Sequence, residues 1–264
     1  MVIHMLFNLG DVVTRKSHNN DTFFEIVSID GDVAYLKGIN IRLEADSNLD
    51  DLNRVDNNNV IDDDTITNNI TNSFNLDRSE FFYLPGKILH IDGDESYLKR
   101  CMNFYHKLNI MSYGLCLKEN DISFEIKKYL EKLNPDIVVI TGHDAYYKKK
   151  GKTTDINNYK NTKNFIEAVK VAREYEKNQD KLIIIAGACQ SNYEELIKAG
   201  ATFASSPKRI NIHALDPAII ASYIALYDRN KVINLIDVLN KTKFGSDGIG
   251  GVTVSGCMFV GYPR

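Results

Sequence analysis

Two short runs in the second half of the chain, IVVI within DIVVITG and LIIIA within LIIIAGA, are apolar at every position. A strand with one wet face alternates apolar and polar, whereas an unbroken apolar strand of this length must be covered on both sides. These runs therefore predict central strands of a parallel sheet with helices above and below. The surrounding pattern agrees. From Pro85 onward strand-like and helix-like stretches alternate: KILHID, a helix from about Ser96, SYGLCL, a helix from about Ile122, DIVVITG, LIIIAGA and TFASS. Such alternation is the mark of an α/β domain. A closing Gly-rich stretch, GIGGVTVSGCMFVGYP, reads as a turn and a last strand near the sheet edge. Its GIGG is not a phosphate loop, because no strand and helix frame it.

The first part of the chain, residues 1–55, is different. GDVVTRK, FFEIVSID, GDVAYLKG and INIRLEAD alternate apolar and polar residues with turn residues between them, which predicts short antiparallel strands. The segment is too small for a sandwich and suits a small SH3-like β-barrel. Residues 56–82 shift to Asn, Asp and Thr and read as a polar linker. Within it Ile66, Ile70 and Phe74 are spaced four apart behind the Asp62–Asp64 run, a pattern that also fits a short amphipathic helix. Residues 83–264 form the α/β domain.

Composition narrows the function classes. Hydrophobic residues are 44% and charged residues 25%, the balance of a soluble globular protein, and the formal net charge of -3 supplies no broad basic field for a nucleic-acid backbone. No run approaches the roughly 20 apolar residues that cross a bilayer, and the start, MVIHMLFNLGD, has no secretory character. Neither nucleic acid nor membrane is expected as a partner. Cys101, Cys116, Cys189 and Cys257 lie apart, without CxxC spacing, which favours reduced thiols over a zinc site or disulfide framework.

In open parallel sheets ligands bind beyond the carboxyl ends of the strands. DIVVITG is followed at once by His143 and Asp144, and LIIIAGA leads at once to Cys189 and Gln190. If the two strands are neighbours, about 4.8 Å apart, an imidazole and a thiol share one rim. A cysteine opening the helix SNYEELIKAG would also have its thiolate favoured by the helix dipole. Cys189 is thus the expected nucleophile and His143 the expected base. His213 is the rival base; His90 and the other three cysteines are expected in packing roles, Asp216 as a helix N-cap before Pro217, and YYKKKGK as a rim loop. The carboxylates of HIDGDES, Asp92 and Asp94, could alternatively serve a haloacid-dehalogenase-like, Mg²⁺-dependent phosphatase, but no later strand ends in the acidic pair such enzymes need. A non-catalytic scaffold that binds through the N-terminal barrel is the third class.

His143 precedes Cys189 by 46 residues, the order found in caspases, whose histidine lies about 50 residues upstream of the cysteine. GKILHIDGDESYLKRC, PDIVVITGHDAYYKKKG, IIIAGACQSNYEELIKAGATFASSPKRINIHALDP and the opening GDVVTRK…FEIVSI together resemble the YabG family of sporulation-specific cysteine peptidases, over nearly the whole chain. More loosely, the strand ending in His and the later strand ending in AC resemble the caspase, gingipain and clostripain group, with Asp144 where that group usually has Gly. The resemblance implies a caspase-like three-layer α/β/α peptidase domain with no metal or cofactor, and cleavage of spore-coat and germination proteins after basic residues, in the mother cell and the coat. Backbone amides of Cys189 and Asp144 would form the oxyanion hole. Asp92 or Asp94 would receive the basic side chain, and Arg54 and Arg78 become candidate self-cleavage sites.

Overall fold

A computed structural model describes residues 7–55, 63–74, 76 and 79–263. The chain divides into two compact units, residues 1–62 and 63–264. In the first, β1 (Val12–Arg15), β2 (Phe24–Asp30), β3 (Val33–Gly38), β4 (Glu44–Asn48) and β5 (Leu52–Arg54) form one antiparallel sheet in the order β4-β3-β2-β1-β5. Alternation along the strands aims Val13, Phe24, Ile26, Ala34, Leu36 and Leu52 into a single small core. A register shift between Ile26 and Ser28 breaks the alternation in β2 and leaves Val27 exposed. INIRLEAD is strand only from Glu44 onward. The residues before it make a tight turn in which Leu43 N–H bonds Ile41 O and Gly38 N–H bonds Leu43 O.

The second unit is α/β. Its elements are α1 (Asp63–Asn72), β6 (Phe82–Leu84), β7 (Ile88–Asp92), α2 (Glu95–Lys107), β8 (Ser112–Cys116), α3 (Ile122–Leu133), β9 (Ile137–Thr141), α4 (Thr162–Tyr175), β10 (Ile183–Ala186), α5 (Tyr193–Lys198), β11 (Phe203–Ser205), α6 (Asp216–Ala225), α7 (Leu235–Leu239), β12 (Ile249–Gly251) and β13 (Phe259–Gly261). Six strands form one sheet in the order β8-β7-β9-β10-β11-β12, parallel except for β12 at the edge. The closing Gly-rich stretch supplies two strands instead of one, since β13 leaves this sheet and pairs with β6.

The unbroken apolar strands are explained by what covers them. Ile137, Val139, Ile183 and Ile185 pack in one cluster with Cys101, Phe104 and Tyr105 of α2 and the apolar face of α6. Val138, Ile140, Ile184 and Ala186, the alternate residues of the same strands, pack with Ile126 and Leu130 of α3 and Phe165 and Val169 of α4. Ile70 of α1 is buried in the first cluster, with Ile66 and Phe74 packed against it, and Arg100 Nη2 bonds Asp63 Oδ1 at 2.8 Å. Residues 56–62 and Arg78 lie outside the described residues. Among the described residues no helix is long and apolar enough to cross a membrane.

Candidate active site

The sheet order reverses between β7 and β9, because β8 lies on one side of β7 and the later strands of this sheet lie on the other. Loops leaving the two sides of such a point diverge and open a crevice at the carboxyl ends of the strands. His143 lies beyond β9 at this crevice. Its Nε2 is 3.2 Å from Asp94 Oδ2, its ring centre is 6.0 Å from that of Tyr97, and its backbone N–H donates to Glu119 Oε1 at 2.8 Å. Asp94 is itself fixed: Oδ1 accepts the N–H groups of Ser96 and Tyr97 and caps α2. Glu119 packs against Gly93 and Gly142, where an added Cβ would collide with Oε1. Only glycine lets the carboxylate come so close.

β10 is the direct neighbour of β9, in register Ile140 with Ala186, so the chain leading to Cys189 leaves the sheet beside the chain leading to His143. Cys189 is 1% exposed, and its Sγ accepts the N–H of Ile212 at 3.3 Å. The turn carrying it is bent by Gly187 at φ 102° and Gln190 at φ 58°. A left-handed glutamine costs on the order of 1–3 kcal/mol, and a dense set of bonds offsets it. Gln190 N–H donates to Ile210 O, its side-chain oxygen accepts Tyr146 N–H, and its side-chain nitrogen donates to Asn211. The expectation that Cys189 opens a helix needs correction. α5 begins at Tyr193, capped by Asn192, so the amide facing the sulfur comes from Ile212 and not from a helix end.

The remaining candidates sort by their surroundings. Asp92 is wholly buried: Oδ1 accepts Asp94 N–H at 2.9 Å, Oδ2 accepts the Thr141 hydroxyl at 2.8 Å, and His90 stands behind with Nε2 3.6 Å away. His90 in turn meets Tyr105 Oη at 2.9 Å and Thr141 Oγ1 at 3.1 Å. A carboxylate enclosed in this way argues against the substrate-binding role expected of Asp92 and against the phosphatase alternative that would use it as nucleophile. Asp94 alone of the pair reaches the rim. Asp144 is also buried, with oxygens bonded to Ala145, Asn161, Thr162 and Ser191, and burial holds its carboxyl above the ordinary carboxylate range. Asp216 is the first residue of α6, and its carboxylate accepts the N–H groups of His213 and Lys243 instead of capping its own helix. His213 is 4% exposed, with Nδ1 accepting Leu215 N–H. Cys101 and Cys257 are buried as expected, but Cys116, at the end of edge strand β8, is exposed.

A family model described as YabG peptidase U57 matches residues 8–263. The Sporulation-specific protease YabG of Bacillus subtilis (strain 168) is 40% identical over 286 residues, which cover 98% of this chain and 99% of that protein. The chain belongs to the YabG family. It is therefore a member of a peptidase family, and its relative is by name specific to sporulation. Three polar groups that this YabG-family chain gathers around the crevice escape a reading of the sequence: Glu119 on the N–H of His143, Ser191 two residues after Cys189, and the N–H of Ile212 on the sulfur. Glu119 follows a strand in LCLKEN and Ser191 follows the cysteine in ACQS, so position after a strand was a usable signal for both; nothing local marks Ile212.

Proposed function

We propose that this YabG-family chain is a sporulation cysteine endopeptidase acting through Cys189 and His143, with a caspase-like α/β/α catalytic domain and an SH3-like barrel before it. The observation that carries the reading is the direct parallel pairing of β9 with β10 at a carboxyl-end rim beside the point where the sheet order reverses. Neighbouring strands bring the residues just beyond their ends to within a side chain's reach of each other, which is what a thiol and its base require.

In this reading Cys189 attacks the scissile carbonyl, and the N–H groups of Cys189 and Asp144 receive the oxyanion. His143 protonates the departing amine, and water then releases the acyl-enzyme. Asp94 holds the imidazole ring. The acidic rim of Asp94, Glu95 and Glu119 favours a basic residue before the cut, in keeping with spore-coat and germination proteins as substrates in the mother cell and coat. Self-cleavage after Arg54 would require β5 to leave its pairing with β1; cleavage after Arg78 concerns a residue outside those described.

Cleavage of an Arg-containing peptide, abolished in Cys189→Ala and in His143→Ala while both variants stay folded, is the expected result. An Arg chloromethylketone should label Cys189. Undiminished cleavage by Cys189→Ala would refute the reading, and identical self-fragmentation of wild type and Cys189→Ala would refute self-processing.

A further inference from the structure

One buried carboxylate, that of Asp144, bonds both hydroxyls that hold the turn carrying Cys189. Ser191 Oγ donates to Asp144 Oδ2 at 2.8 Å and accepts Ala188 N–H at 2.9 Å. Thr162 Oγ1 donates to the same Oδ2 and accepts Asn192 N–H at 3.0 Å. A hydroxyl has one proton. With that proton given to the carboxylate, the lone pairs of both hydroxyls face backbone N–H groups, one just before Cys189 and one three residues after it. The other oxygen, Oδ1, accepts the N–H groups of Ala145 and Asn161, tying the same carboxylate to the segment that follows His143 and to the start of α4. Ser191 and Thr162 are fully buried, so water offers no substitute for these bonds.

We infer that Asp144 is the positioning residue of the nucleophile turn, fixing Cys189 relative to His143 through the hydroxyls of Ser191 and Thr162. The inference rests on Cys189 being the nucleophile. Its physical basis is direction: an acceptor-only group sets both hydroxyls the same way round, and the turn, already bent by Gly187 and Gln190, follows them. A displacement near 1 Å at a reacting group costs about a hundredfold in rate. The loss should fall on kcat, because substrate binding uses other surfaces.

The experiment compares the full chain with its Ser191→Ala, Asp144→Asn, Thr162→Ala, Thr162→Ser and Cys189→Ala variants. It measures kcat and KM on an Arg-containing peptide and the rate at which an Arg chloromethylketone modifies Cys189. Ser191→Ala should lose about 10- to 100-fold in kcat with KM within about twofold, and modification of Cys189 should slow in parallel. Thr162→Ala should lose kcat and Thr162→Ser recover it. The Ser191→Ala, Asp144→Asn double variant should fall no further than the worse single variant, because the pair acts as one unit. Ser191→Ala and Thr162→Ala with wild-type kcat would overturn the inference, as would additive losses in the double variant. If Asp144→Asn fails to fold, the Ser191 and Thr162 variants decide alone. A fully active Cys189→Ala would instead remove the reading on which the inference rests, so the two failures are distinct.

Discussion

Asp94 divides its carboxylate between two tasks: Oδ1 caps α2 through the N–H groups of Ser96 and Tyr97, while Oδ2 stands 3.2 Å from His143 Nε2. The helix cap holds the carboxylate still, and the carboxylate holds the ring. The division separates stability from activity in a way two substitutions can read. Asparagine caps a helix about as well as aspartate, whereas alanine costs about 0.5–2 kcal/mol. Asp94→Asn should keep wild-type stability and lose about 10- to 100-fold in kcat as the ring loses its anionic partner, and Asp94→Ala should lose both. Urea unfolding beside steady-state kinetics is the check. Full activity in Asp94→Asn would show that the ring is held by other contacts.

Asp92, the last residue of β7, is wholly buried and answers to a different measurement. Replacing it with alanine removes the acceptor of the Asp94 N–H and the nearer of two acceptors of the Thr141 hydroxyl, whose other acceptor, Ile91 O, is 3.5 Å away. Each buried polar group without a partner costs about 1–3 kcal/mol. Asp92→Ala is therefore expected to shift the urea midpoint well below that of Asp94→Asn. A midpoint equal to wild type would mean that this buried network contributes nothing to stability.

These two aspartates mark how far the fold and the site are written in the sequence. The parallel strands were legible because burial on both faces demands apolar residues at every position, and IVVI and IIIA have no other economical explanation. The rim positions of His143 and Cys189 followed from those strands alone. Asp92 and Asp94, two residues apart in HIDGD, look equivalent as text; one ends its strand facing α2 and the core, and the other begins the loop. The position of Ser191 after a strand is a signal in the sequence, but its bond to Asp144, like that of Thr162, is not, since a hydroxyl's partner depends on what folds against it. The start of α5 was misplaced because Cys189 and Gln190 adjoin a helix-like run, although Asn192 followed three residues later by Glu195 carries the cap signal, and Asn192 Oδ1 does accept Glu195 N–H.

Thiol chemistry gives a third expectation. Cys116 is exposed, although burial of part of the side chain and the nearby carboxylates of Asp92, Asp94, Glu95 and Glu119 raise its thiol above the ordinary range. Cys257 is buried and pushed up to about 12, chiefly by burial and then by Asp136. The thiolate is the reactive form. With iodoacetamide at pH 8, Cys116 should be modified slowly, and Cys101 and Cys257 not at all until the protein unfolds. Peptide mapping after timed quenching reads this directly, and Cys116→Ser should remove the background label without changing peptidase activity. Rapid modification of Cys257 in folded protein would contradict its burial.

The pH dependence of stability offers a last expectation, centred on Asp144. Its carboxyl lies above the ordinary value of 3.8 because the cost of burying the charge outweighs its bonds to Thr162, Asn161, Ser191 and Ala145. Between 3.8 and the raised value, the folded protein holds a proton that the unfolded chain has lost. Stability therefore falls with rising pH across that window: the contribution is complete below 3.8 and gone once pH passes the folded value. Other carboxylates titrate in the same range, so wild type alone does not isolate the effect. Asp144→Asn does, because the amide has no proton to exchange while the rest of the protein titrates as before. The stability of wild type minus that of Asp144→Asn, measured by urea unfolding from pH 3.5 to 7, should decrease as pH rises. A difference that increases over this range would mean that the hydrogen bonds outweigh burial, and that Asp144 is held ionised below its ordinary value.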